Sequence, residues 1–201
     1  MTPETLLAAS LFAVVSSITP GPNNMMILAS GVNFGFARSL RHLFGIVLGF
    51  GLMILLVGMG LHTVLERAPL LQTAMRWGGA AYLLWLAWKL AHAGPPSGDT
   101  QGAESAAKPM GFFAAAAFQW INPKAWVMGV TAISTFLPSQ AAPTQILSLT
   151  ALFISLNLPC VATWGAFGSA MRRILQNPQR LRLFNVTMAL ALVGSLIPML
   201  A

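Results

Sequence analysis

Charge is scarce in this 201-residue chain: Asp, Glu, Lys and Arg make up 7% of it, against about 25% in soluble domains. Acids are the rarest. Glu4, Glu66, Asp99 and Glu104 all fall at the start of the chain or between apolar runs. One cysteine, Cys160, excludes an internal disulfide and any CxxC motif, and a buried spectator thiol is expected there. His42, His62 and His92 stand near the ends of apolar runs. Hydrolytic or phosphoryl-transfer sites need paired carboxylates, a Ser–His or Cys–His pair or a metal cluster, and no such set can be assembled deep in the apolar segments. A divalent-metal pathway lacks ligands for the same reason. The chain is therefore not read as an enzyme, and neither a metal nor a cofactor is expected. A positively charged leader is also missing, since the first residues carry Glu4 and no Lys or Arg. The first apolar run is expected to be an uncleaved span.

Apolar residues are abundant: they make up 56% of the chain, with a mean hydropathy of +0.73. A spanning helix needs roughly 20 apolar residues. Six such stretches are predicted, at about 5–29, 43–63, 70–91, 110–137, 145–169 and 183–200. The net charge of +7 is distributed as a topology signal rather than as a nucleic-acid surface. Arg38, Arg41, Lys89, Lys108, Arg172, Arg173, Arg180 and Arg182 share one predicted side, and Arg67 and Arg76 fall on the other. The positive-inside rule makes the first side cytoplasmic. Both termini then face the periplasm or exterior, and the partner surface is the lipid bilayer, with no nucleic acid.

Residues 93–109 are the most polar long stretch, with Gly94-Pro95-Pro96-Ser97-Gly98-Asp99 at its head. This composition predicts a flexible cytoplasmic linker. It divides the chain into 1–92 and 110–201, each with three predicted spans. Three is odd, so the second group enters the membrane in the opposite sense. The predicted fold is all-α and integral to the membrane: six transmembrane helices as two inverted three-helix repeats. Gly45 and Gly49 have GxxxG spacing, expected to serve close packing of the second helix against the first or fourth.

Prolines interrupt the first and fourth helices at matching depths, in Thr19-Pro20-Gly21-Pro22-Asn23 and Asn122-Pro123-Lys124-Ala125. Each removes a helical hydrogen bond, and in hydrocarbon the freed carbonyls survive only beside protein or a wet cavity. Paired breaks of this kind point to a transporter's binding site. Lys124 is the one ionisable group predicted deep in the membrane, roughly 20 Å along its helix at ~1.5 Å per residue, where charge is costly and functional by default. Asn23, Asn24, Asn122 and Asn157 lie at similar depth. For Asn24, satisfying freed carbonyls is the expected role; Asn23 and Asn122 adjoin the breaks and suit both that role and substrate contact. Thr19 is expected to cap the half-helix restarting at Pro20–Pro22. That helix start offers N–H groups to a carboxylate, Lys124 adds charge, and the unwound carbonyls suit an ammonium. Together they favour a zwitterion. Trp120 and Trp126 bracket the second break, with packing their expected role.

The two break motifs, with Gly79-Ala80-Ala81-Tyr82-Leu83 and Trp88-Lys89 between them, resemble the LysE/RhtB family of amino-acid exporters over essentially the whole chain. Gly129-Val130-Thr131-Ala132, Ser134-Thr135-Phe136 and Tyr82 through Lys89 are most similar to its cysteine/O-acetylserine branch. The resemblance implies export of small neutral amino acids or derivatives across the bacterial inner membrane, in exchange for protons. It carries the family motif onto Pro20, Gly21, Pro22, Asn23, Asn122, Pro123 and Lys124. Antiport requires proton and substrate to compete. A Lys124 that must be protonated to hold a carboxylate would instead bind both together. Either Lys124 is a permanently charged anchor with coupling elsewhere or absent, or its proton competes with the substrate's ammonium for the cavity. A gradient-driven facilitator and a non-transporting scaffold remain alternatives, and homo-oligomerisation is open.

Overall fold

The computed structural model of the chain describes residues 1–61, 67–93 and 108–197. Its helices are α1 (Pro3–Ile18), α2 (Pro22–Phe34), α3 (Phe36–Leu56), α4 (Pro69–Ala91), α5 (Phe112–Phe118), α6 (Pro123–Phe136), α7 (Pro143–Met171) and α8 (Pro178–Gly194). Six of the eight open on proline, the residue whose fixed φ and missing N–H cost nothing at a helix start. The predicted 93–109 linker lies mostly outside the described residues, as do His62, Glu66, Asp99 and Glu104.

The first predicted span is two helices, α1 and α2, bent by 54° at the break. The fourth is α5, a short turn at Gln119–Ile121, an extended Asn122 and then α6. Two boundaries differ from the sequence reading. Gly35 turns the chain at φ 83, a conformation glycine alone adopts freely, so α3 follows α2 with no loop between them. Arg38 and Arg41 therefore ride on α3 instead of preceding it, and both are exposed. Asn177 caps α8 by accepting from Gln179 N and Arg180 N, which places Arg180 and Arg182 on that helix. By length and apolarity, Phe36–Leu61 and Pro143–Met171 can each cross a bilayer, and the bent α1–α2 pair is a third candidate.

α3 and α7 form the centre. α7 packs along α1, α2 and α3; α3 packs along α5 and α6; α4 pairs with α8. This pattern is preserved when the first three segments (α1–α2, α3, α4) are exchanged with the last three (α5–α6, α7, α8). The closest approaches are made by glycines. A Cβ on Gly168 would strike the Leu28 carbonyl, and one on Gly31 the Gly165 carbonyl, so α2 and α7 touch backbone to backbone. Gly45 and Gly49 meet Phe112 and Ala116 of α5 in the same way. The GxxxG pair thus packs against the fourth segment, as its spacing suggested. Large apolar side chains such as Leu7, Phe113, Val127 and Leu190 point outward, as a lipid-facing surface requires.

Candidate translocation site at the two crossed breaks

The first break leaves five carbonyls without helical partners, and each finds a donor. Thr19 Oγ1 donates to Ser16 O at 2.9 Å. Asn24 Nδ2 donates to Ser17 O at 2.7 Å and Thr19 O at 2.9 Å. The Trp164 indole donates to Ile18 O at 3.0 Å. Lys124 Nζ reaches Thr19 O at 2.7 Å, Thr19 Oγ1 at 2.8 Å and Pro20 O at 3.2 Å. Backbone carbonyls without water must be paired, and this set pairs every one of Ser16 through Pro20. Asn24 fills the role expected of it. Thr19 does not: its backbone N–H bonds Val15 O and closes α1, while Gly21 caps α2 with no side-chain bond. The hydroxyl is taken by Ser16 and Lys124, so the start of α2 keeps its N–H groups free of any side-chain acceptor.

At the second break Asn122 accepts from Lys124 N at 3.2 Å and caps α6. Diverting that N–H releases Trp120 O, which the Trp126 indole takes at 2.8 Å. The two rings also pack edge to face, 6.1 Å apart. Here too a tryptophan repairs a freed carbonyl, and neither ring lines the cavity.

The breaks are tied to each other. Asn23, the residue after Pro22, makes a reciprocal amide pair with Gln119, with bonds of 2.8 and 3.1 Å. Lys124, the residue after Pro123, reaches back to Thr19 and Pro20. Each break is therefore held by the residue following the other break's proline. Gln119 is fully buried and also donates to Ala115 O at 2.9 Å. Sequence reasoning passed over it; a lone glutamine four residues before a mid-span proline was the available signal.

Between the breaks lies a cavity of about 30 Å³, room for two or three waters at roughly 10–15 Å³ each. Gly21, Asn23, Asn122, Lys124 and Asn157 line it, joined by Ser17 and Asn24. Thr19, Pro20, Pro22 and Pro123 shape the breaks without lining it. Asn157 donates to Ser17 Oγ at 3.0 Å, and its other amide atom is buried without a partner. Because O and N of an amide are assigned from the network, that free end offers either a donor or an acceptor. His42 also departs from expectation. It is 2% exposed, inside α3, with no hydrogen-bond partner on either ring nitrogen.

An uncapped helix start and uncharged amides lining one small cavity, with carbonyls that hold an ammonium beside it, suit a translocator of small polar molecules. The family described as LysE type translocator matches residues 14–195. The chain belongs to the LysE translocator family. LysE relatives matching nearly all of it include proteins named cysteine/O-acetylserine efflux protein. That of Escherichia coli strain K12 is 34% identical over 194 residues, 96% of each chain. That of Shigella flexneri is 34% identical over 194 residues, again 96% of each. The Klebsiella pneumoniae protein is 33% identical over 175 residues, 87% of each. No solved structure matches the chain. The protein is thus a multi-pass membrane transporter of this family and not an enzyme.

Proposed function

We propose that this protein is a secondary transporter that exports small neutral amino acids or their derivatives, of the cysteine and O-acetylserine class, from the bacterial cytoplasm across the inner membrane. The observation that carries the reading is the crossing of the two breaks: Lys124, which lines the cavity, reaches the carbonyls at the end of α1, and the uncapped start of α2 lines the same cavity through Gly21 and Asn23. The carbonyl end of a helix attracts positive charge and the N–H end negative charge. A zwitterion with its ammonium toward α1 and its carboxylate toward α2 uses both. Asn23, Asn122 and Asn157 offer neutral donors and acceptors around it. The names of the efflux relatives support an amino-acid substrate.

Six spans in two inverted repeats, 1–92 and 110–201 joined by the 93–109 linker, with both termini outside, complete the reading. The exchange-symmetric helix packing supports the repeat, as do the cross-bridges that link each break to the other's proline. Protons drive export in this scheme.

Proteoliposomes preloaded with radiolabelled cysteine, O-acetylserine, homoserine or leucine test it. Export of the small members is expected, accelerated by an imposed inward proton gradient and abolished in Lys124→Ala. Export indifferent to the gradient would favour a facilitator. No export of any member by a folded protein would overturn the reading.

A further inference from the structure

We propose that Thr19 O, Thr19 Oγ1 and Pro20 O form a binding site for a primary ammonium group, filled by Lys124 while the transporter is empty and by the substrate's α-ammonium when it is loaded. The inference rests on the transporter reading above and adds to it a located subsite with a resident competitor.

The first argument is stereochemical. A lysine ammonium has three donors and no acceptor, and Lys124 Nζ meets three oxygens at 2.7, 2.8 and 3.2 Å. A compact tripod suits an ammonium and not a planar guanidinium. Two of the oxygens are carbonyls released by the break. They sit where α1 presents the negative end of its dipole, which favours a cation. Asn24 steadies the cradle by donating to Thr19 O as well, at 2.9 Å.

Gly21 supplies the second argument. Its backbone, at φ −179 and ψ 175, is extended and open to any residue, so glycine is not there for conformation. It is there for space: a Cβ at this position would lie 2.8 Å from Lys124 Cδ and 3.2 Å from Nζ. Residue 21 is the floor over which the lysine stem reaches its oxygens.

Lys124 is also replaceable. Among the described residues Glu4 is the sole acid, so no carboxylate there locks the lysine in an ion pair, and its partners are neutral oxygens. Gly21 and Lys124 both line the cavity, so a second ammonium in the cavity meets the lysine beside its oxygens. A substrate ammonium that takes the cradle releases Lys124, and the freed charge is then available to the substrate's carboxylate. An amino acid gives both groups new partners in one exchange. A simple amine displaces the lysine and offers it nothing, so the arrangement selects for molecules carrying both charges.

Thermal unfolding of the purified full-length protein tests this without any transport step. Lys124→Ala empties the cradle; Gly21→Ala keeps the lysine but sets a methyl group against its stem, which must shift and loosens its hold on the oxygens. The probe is ethylammonium chloride, with tetramethylammonium chloride, which has no N–H, at equal ionic strength. At about tenfold above its dissociation constant, ethylammonium should raise the midpoint of both variants by about 3–5 °C. Tetramethylammonium should leave them unmoved, and wild type should respond far less, because its own ammonium competes. Equal response to both cations, or none, in either folded variant overturns the cradle. If one variant fails to fold, the other decides. Stabilisation by ethylammonium without export by wild type would sink the transport reading alone; export without stabilisation would sink the cradle alone.

Discussion

Cutting the Asn23–Gln119 pair tests whether the two breaks are held by each other. In Asn23→Leu both shared bonds, 2.8 and 3.1 Å, disappear. Gln119 Nε2 keeps its bond to Ala115 O, but Oε1 is left in a side chain with no exposure. An orphaned buried acceptor costs about 1–3 kcal/mol. In Gln119→Met the Asn23 amide, which is half-buried and lines the cavity, loses its partner, and so does the buried Ala115 carbonyl that Gln119 Nε2 had bonded. Cavity water can reach the first but not the second, so the expected cost is again about 1–3 kcal/mol. The double variant leaves neither amide without its partner, and the lost Ala115 bond, shared with Gln119→Met, cancels in the cycle, so the coupling energy should be about 1–2 kcal/mol, near the upper end for hydrogen bonds measured inside membranes. The assay is equilibrium unfolding in mixed micelles, with the four proteins measured as a cycle. A coupling below about 0.3 kcal/mol would refute the reasoning: the amides would then have other partners, and the cross-bridge would not join the breaks.

Gly31→Ala and Gly168→Ala should each destabilise the protein by about 1–3 kcal/mol through overpacking of α2 against α7. Gly78→Ala, with nothing within 4 Å of the added carbon, should be neutral or stabilise its helix by up to about 1 kcal/mol; the same unfolding assay ranks all three. His42→Leu should stabilise by about 1 kcal/mol, because it removes a buried ring with no partners. If proton-driven export is lost in that folded variant, the ring is functional and not merely tolerated. In a Cys160→Ser background, cysteines placed at Lys108 or Arg180 should react with an impermeant maleimide only from the cytoplasm, and one at Arg67 only from outside; the reverse pattern would invert the proposed topology.

The breaks were legible in the sequence because proline withdraws a donor wherever it stands, whatever its neighbours. Lys124 was legible for a similar reason: charge at that depth has few uses. Gln119 and Ser17 were not, since an uncharged polar residue in an apolar run has many local partners and nothing along the chain names the distant one. Thr19 was misjudged in the same way. Local capping logic sent its hydroxyl to the next helix, and a lysine 105 residues away took it instead. His42 was placed near a helix end because the apolar run begins at Leu43, whereas the one-residue turn at Gly35 starts the helix at Phe36 and draws the imidazole into the bundle. The glycine contacts between α2 and α7 were visible only as small residues, their partners being set by how the two halves meet.

The lysine tripod also has an electrical consequence. In the proposed exchange the cradle holds one ammonium whether Lys124 or the substrate fills it, and an arriving zwitterion adds no net charge. Loaded and empty forms then have the same net charge, so the membrane potential, worth about 2.3 kcal/mol per elementary charge at about 100 mV, favours neither. Exchange of one amino acid for another is then blind to voltage, and any voltage dependence of net export would count the protons exchanged for the substrate.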